Sequence, residues 1–173
     1  IAGATLETIS TGLSHRAIIR VMPNTPAQIG AGMSVWVAAA EVDESFRNTT
    51  RSILDTLGEE LEVYQEQYLD MATALSASGP AYTFIFLESL IDAGVYLGMP
   101  RDMAQSLAIQ TVLGSTKLAQ ESGRHPAELR DMVTSPGGTT AEALKILEEG
   151  GFRSTLLNAI VAAYQKAKRL GER

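Results

Sequence analysis

The stretch Ala81-Tyr82-Thr83-Phe84-Ile85-Phe86-Leu87-Glu88-Ser89-Leu90-Ile91-Asp92-Ala93-Gly94-Val95-Tyr96-Leu97-Gly98-Met99 decides the class of this fold. It is too long for a strand, and its apolar residues fall on every face rather than on alternate positions. A helix without a polar face is a buried helix, so the sequence predicts one central helix surrounded by others, stopped by Gly98 and Pro100. No uninterrupted apolar run in the chain approaches the ~20 residues that a membrane span needs.

Downstream of this segment the pattern stays helical. Residues 101–121 carry Met103, Leu107, Val112 and Leu118 and end at Gly123. His125-Pro126 opens a short helix through Val133, with proline in its first turn. The loop Thr134-Ser135-Pro136-Gly137-Gly138-Thr139-Thr140 leads into a helix over 141–149, which Gly150-Gly151 stops. A last helix over 152–170 places Leu156, Leu157, Ile160, Val161, Tyr164 and Ala167 along one stripe. Upstream, residues 68–76 read as a helix that breaks at Ser76-Ala77-Ser78-Gly79-Pro80.

Before about Glu66 the period changes. Leu6, Ile9 and Leu13 define a short amphipathic helix, Ala17-Ile18-Ile19-Arg20-Val21 is a strand stopped by Pro23 and Pro26, and residues 33–38 form a second strand after Gly30 and Gly32. From Asp43, the residues Phe46, Ile53, Leu54 and Leu57 suit one helix face with Gly58 as C-cap, and residues 60–64 form a third strand. Strand–loop–strand–helix–strand is the kind of tail that completes a doubly wound sheet. The fold class is therefore mostly α with an α/β N-terminal remnant. The domains are residues 1–66, the end of the sheet, and residues 67–173, an all-helical part.

With 173 residues, 45% apolar and 20% charged, the chain is long enough to bury a real core, and this composition excludes disorder. Zero cysteines exclude disulfides and a cysteine nucleophile. The net charge of −6 argues against nucleic-acid or anionic-membrane partners. A soluble, cytoplasmic chain is expected. It opens on Ile1-Ala2-Gly3-Ala4 without an initiator Met or a signal-peptide pattern, and so reads as the middle of something longer.

The loop over Ser135–Thr140 is the most informative candidate site. Gly137 and Gly138 allow close backbone approach, and Thr139-x-x-Glu142 fits a capping box. One reading is a well-capped helix–helix turn. The other is an anion site, in which the N–H groups of Thr139 and Thr140 and the hydroxyls of Ser135 and Thr140 converge at the positive end of a helix. Hydrogen bonds to a charged group contribute about 1.5–3 kcal/mol each, so two or three suit one carboxylate. The loop lacks the lysine of a nucleotide-triphosphate site. Around Ser78-Gly79-Pro80, either Ser78 caps the buried helix, or Thr73, Ser76 and Ser78 line a pocket at a helix break. The turn Met22-Pro23-Asn24-Thr25-Pro26 follows a strand, where open α/β sheets bind ligands; a plain turn is equally compatible. Neither His15 nor His125 stands in a metal-like spacing, so no metal site is expected. Glu88 and Asp92, one turn apart, read as structural, and no hydrolase or zinc motif occurs.

Taken together, these motifs are familiar. Val133-Thr134-Ser135-Pro136-Gly137-Gly138-Thr139-Thr140-Ala141-Glu142-Ala143-Leu144, Arg20-Val21-Met22-Pro23-Asn24-Thr25-Pro26, Ser78-Gly79-Pro80-Ala81-Tyr82 and Gly150-Gly151-Phe152-Arg153 resemble, in the right order over the whole chain, the pyrroline-5-carboxylate reductase family. The resemblance implies NADPH- or NADH-dependent reduction of a cyclic imino acid, 1-pyrroline-5-carboxylate, to L-proline. It also implies a Rossmann-type sheet followed by a helical dimerisation domain of the 6-phosphogluconate dehydrogenase C-terminal-like kind. That domain would interlock a homodimer, often assembled into larger rings. Carried over by position, Ser135, Gly138, Thr139 and Thr140 bind the substrate carboxylate, and Thr73 faces the ring nitrogen as the catalytic residue. Met22, Pro23, Asn24 and Ser78 lie near the nicotinamide end of the cofactor.

The family's G-x-G-x-x-G loop does not occur in this sequence. Gly30-x-Gly32 runs into a strand rather than a helix. The chain alone is accordingly expected to dimerise but to bind NADPH poorly and to be inactive. Two other readings stand beside this one. A related 2-hydroxyacid dehydrogenase would carry a lysine near Ser78–Tyr82, where none occurs. A non-catalytic helical dimerisation module would leave the Ser135–Thr140 loop silent toward proline.

Overall fold

The computed structural model describes residues 2–171. The chain divides into two compact units: the described residues up to Tyr82 together with those from Leu157 onward, and Thr83–Leu156.

The first unit holds a three-stranded mixed sheet in the order β1-β2-β3. Strand β1 (Ile19–Met22) runs antiparallel to β2 (Gly32–Ala38), with Met22 opposite Val35. Strand β3 (Gly58–Glu62) runs parallel to β2, with Trp36 opposite Glu62. The β-branched and aromatic residues of β2 explain its central place: Val35, Trp36 and Val37 are buried, Trp36 completely. Helix α1 (Leu6–Leu13) precedes the sheet, capped by the Thr5 hydroxyl, which accepts from the Thr8 amide. Helix α2 (Glu44–Leu54), N-capped by Asp43, makes the crossover from β2 to β3. Arg51 of α2 lies 5.5 Å from the Trp36 ring centroid. Its hydrogen bonds to Glu44 and then to Glu62, which accept them, raise its pKa above the ordinary arginine value.

Gly58 does not cap α2. A 3₁₀ turn over Asp55–Leu57 intervenes, and Gly58 opens β3. Its φ of +134° is glycine territory, and a Cβ there would run into the Gly32 backbone opposite. The glycine both caps the 3₁₀ turn that extends α2 and allows the close strand approach.

Helix α3 (Gln67–Ala72) packs on this sheet. Leu69 is fully buried with Met22 and Val37, and Leu6, Val63 and Ala77 pack around them. Arg20, itself buried, fixes the junction: its Nη1 donates to Glu66 Oε1 at 2.8 Å and its Nη2 lies 3.6 Å from Asp70 Oδ1. The same Glu66 oxygen accepts from the first amide of α1, at Leu6. Leu69→Ala is expected to destabilise the unit by roughly 3–5 kcal/mol, the range for emptying a closely packed leucine site. Urea unfolding followed by Trp36 fluorescence reads this loss; an unchanged midpoint would contradict the core described.

Four helices follow α3: α4 (Gly79–Tyr96), α5 (Arg101–Ser122), α6 (Pro126–Met132) and α7 (Thr139–Glu149), and then the C-terminal α8 (Phe152–Gly171). Gly123 ends α5 in the left-handed region. His125 opens α6 as its sequence position suggests, with Nδ1 accepting from the Ala127 amide at 3.2 Å. Within Thr83–Leu156, α4 and α5 approach closely at Gly94, where a Cβ would come within 2.8 Å of Ala104 Cβ. The Phe86 and Phe152 rings lie 6.4 Å apart.

The expectation that α4 is buried is corrected by the structure. None of its residues is buried; Phe84 is 61% and Ile85 64% exposed. The helix meets α5 at Gly94, yet Phe84, Ile85, Phe86 and Leu90 stay exposed. No helix among the described residues is long and apolar enough to cross a membrane.

Candidate functional site

The residues singled out from the sequence fall into two groups, one in each compact unit. In the first unit, Met22 ends β1, and its side chain is packed into the core against Val37 and Leu69. Any contact it makes with a ligand falls to its main chain. Pro23 is exposed. Asn24 is half-buried and precedes a 3₁₀ turn over Thr25–Ile29, its carbonyl accepting from the Ala27 amide. The Asn24 side chain is fully engaged at both ends: Oδ1 accepts from the Met33 amide at 2.9 Å, and Nδ2 donates to the Ser76 carbonyl at 3.2 Å.

That second bond reaches the helix break, which is not a loop. The chain stays helical from α3 but widens into a π turn over Thr73–Ala77, closed by the Ser78 amide donating to the Thr73 carbonyl at 2.9 Å. Such single wide turns concentrate at functional sites. Thr73 Oγ1 donates to the Leu69 carbonyl at 2.7 Å, and Ser76 Oγ donates to the Ala72 carbonyl. The Thr73 proton is thereby committed to the helix, and what the half-buried hydroxyl still offers is acceptor lone pairs. Tyr82 closes the turn from α4, its hydroxyl donating to the Ala74 carbonyl. Thus Asn24 ties the turn after β1 to the π turn that holds Thr73 and runs into Ser78.

The second group lies in the loop before α7. Gly137 takes φ +66°, and the Gly138 amide donates to the Ser135 carbonyl at 3.0 Å, folding the loop back on itself. The expected capping box is corrected here. The N-cap is Gly138, with no side-chain cap bond, and Thr139 is already the first helical residue. Glycine at the cap has no side chain to spend on the first-turn amides, so no capping side chain engages them. Ser135 and Thr139 are exposed and Thr140 half-buried. A Cβ on Gly138 would meet Ser135 Oγ, so the missing side chain is what lets that hydroxyl lie beside the helix start. Amides, a hydroxyl and a positive helix end thus lie together, the kinds of group that suit a small anion.

The family model described as pyrroline-5-carboxylate reductase dimerisation matches residues 66–170. This chain belongs to the pyrroline-5-carboxylate reductase family. It is 44% identical over all of its 173 residues to the reductase of Synechocystis, spanning 64% of that protein. It is 44% identical over 98% of its length to the Pisum sativum reductase, spanning 62% of it. The crystal structure of the Plasmodium falciparum enzyme with NADP bound superposes with a TM-score of 0.94 at 36% identity, covering 98% of this chain and 68% of that one. The chain therefore spans less than two thirds of the curated reductases it matches.

Sequence reasoning missed the ties that hold the reductase-like motifs in place: Asn24 to Ser76, Tyr82 to Ala74, and Arg20 to Glu66 and Asp70. One signal for the first was legible, namely a proline four residues after Ser76. Among the described residues no group of three or more histidine or acidic side chains is placed to hold a metal ion.

Proposed function

We propose that this chain forms the substrate-binding and dimer-forming part of a cytoplasmic enzyme that reduces 1-pyrroline-5-carboxylate to L-proline, the last step of proline biosynthesis. The observation that carries the reading is the glycine-capped start of α7, where no side chain occupies the first-turn amides beside Ser135. In this reading the hydroxyls of Ser135 and Thr140 and the amides of Thr139 and Thr140 hold the substrate carboxylate, and Gly138 allows the approach. Thr73, with its proton turned to Leu69, accepts from the ring N–H of the protonated imine and holds the ring for attack at carbon. A protonated C=N bond is already electrophilic, so positioning with neutral groups suffices, in keeping with a site built of threonine and serine rather than histidine.

NADPH or NADH supplies the hydride. Met22, Pro23, Asn24 and Ser78 are assigned to the nicotinamide end, a reading supported by their place at the carboxyl end of β1. The residues present do not fit the cofactor's pyrophosphate. Gly32 of the Gly30-x-Gly32 pair is spent in the ladder opposite Gly58, and no helix start follows it. The activity is therefore proposed for a protein in which a complete dinucleotide site accompanies these residues. The division into residues 1–66 and 67–173 is supported by the family model's start at residue 66. The homodimer is supported by the family model's description as a dimerisation region and by the exposed apolar residues of α4; a larger ring belongs to the same proposal.

Thr140→Ala tests the reading. Alanine is a good helix former, so α7 should stay folded. Because a carboxylate contact is largely uniform binding, KM for the imino acid should rise about tenfold while kcat changes little. Steady-state rates at saturating NADPH check this. An unchanged KM, together with no response of the α7 amides to added proline, would favour a non-catalytic dimerisation module.

A further inference from the structure

The helical ladder is broken chemically between α3 and α4, and a residue from the sheet repairs it. In a regular helix the Ser76 carbonyl would accept from the amide of residue 80. Residue 80 is proline, which has no N–H, and the next amide, Ala81, donates to the Ser78 carbonyl at 3.0 Å. The donor that reaches Ser76 is Asn24 Nδ2, at 3.2 Å and 52 positions away in sequence. The opposite end of the same carboxamide accepts from the Met33 amide, at the start of β2. The side chain thus braces two main-chain groups on separate elements of one compact unit. One of them lies within the π turn that carries Thr73, three residues before Ser76.

We propose that Asn24 is a positioning residue: its carboxamide supplies the donor that Pro80 lacks and thereby sets the π turn, and with it the Thr73 hydroxyl, against the turn that follows β1. The inference rests on the role given to Thr73 above, and it assigns the Asn24 side chain to bracing rather than to direct contact with the cofactor. Asparagine suits this position because it offers a donor and an acceptor on one short planar group. Aspartate would keep the acceptor for Met33 but set a second acceptor against the Ser76 carbonyl.

The test uses N24A, N24D and P80A in two measurements. The first is backbone amide exchange by NMR on the chain itself. N24A should speed exchange at both Ser78 and Met33 by roughly five- to tenfold, the opening expected for one lost hydrogen bond. N24D should speed Ser78 alone and spare Met33. P80A restores a backbone donor for Ser76, so N24D/P80A should recover protection at Ser78. The second is kinetics in the protein with a complete dinucleotide site. There N24D should lower kcat by roughly 10- to 100-fold, as misplacement of reacting groups does, with KM for NADPH within about twofold and part of kcat regained in N24D/P80A. Unchanged Ser78 exchange in both Asn24 variants overturns the proposal. So does a raised KM for NADPH with kcat intact, which marks a direct cofactor ligand. If the unsubstituted protein reduces no imine, the functional reading fails instead, and the exchange measurement still decides the brace. If N24A does not fold, N24D with and without P80A carries the comparison.

Discussion

Gly138→Ala is expected to raise KM for the cyclic imino acid by roughly ten- to a hundredfold while leaving kcat nearly unchanged. The backbone at Gly138, with φ −82° and ψ 169°, is extended and open to any residue, so the substitution stores no backbone strain. Its effect comes through the new Cβ, which would overlap Ser135 Oγ and lie 3.1 Å from the Ser135 carbonyl oxygen. The hydroxyl is the movable partner and must swing away, taking one donor out of the carboxylate cradle. A hydrogen bond to a charged group is worth about 1.5–3 kcal/mol, which gives the stated range at 1.4 kcal/mol per decade. Alanine is also a poorer N-cap than glycine, a loss of about 1 kcal/mol that leaves α7 folded. Rates over a range of imine concentrations at saturating NADPH, paired with thermal melts, separate the two effects. Ser135→Ala should match Gly138→Ala, and the double variant should add nothing further. A folded Gly138→Ala protein with normal KM would place the carboxylate elsewhere.

The residues differ in how much of this arrangement they disclosed in advance. Local chemistry was legible: the run 17–21 led into β1, which spans Ile19–Met22, His125-Pro126 started α6, and Gly123 and Gly150 closed helices where their freedom or small size suits a terminus. Features that depend on competition between neighbours were not. Thr139-x-x-Glu142 has the letters of a capping box, but Gly137 turns the chain so that Gly138, one residue earlier, takes the cap. Gly58 has the letter of a helix end and does cap the 3₁₀ turn after α2, but its close pairing with Gly32 also makes it the first residue of β3. The π turn could not be read from periodicity, because five residues, Thr73–Ala77, are too few to show a period of their own. Its brace joins residues 52 apart, a separation that no local pattern encodes, although Pro80 marks the missing donor. For α4 the sequence spoke of burial, and burial by one's own chain and burial by a second copy have the same composition.

That ambiguity leads to the second large effect. Phe84→Asp with Ile85→Asp is expected to convert the proposed homodimer to monomer, weakening association by roughly 10²- to 10⁴-fold. Within Thr83–Leu156 the buried apolar residues are Ala104 and Ala108, while Phe84, Ile85, Met103, Leu107, Leu113 and Ile146 stay open. Two alanines make a poor core, so this unit needs apolar cover from outside itself. Covering a phenylalanine or isoleucine is worth about 1.5–3 kcal/mol, and an unpaired carboxylate in a dry interface is worse than the bare loss. Sedimentation equilibrium over a range of concentrations measures the constant, and Phe84→Ala with Ile85→Ala should weaken it by less. Because the proposed partner would hold the helical unit, the aspartate variant should also lose the concentration dependence of its melting temperature. An aspartate variant that associates as tightly as the original chain would mean that α4 is covered by something other than a second copy.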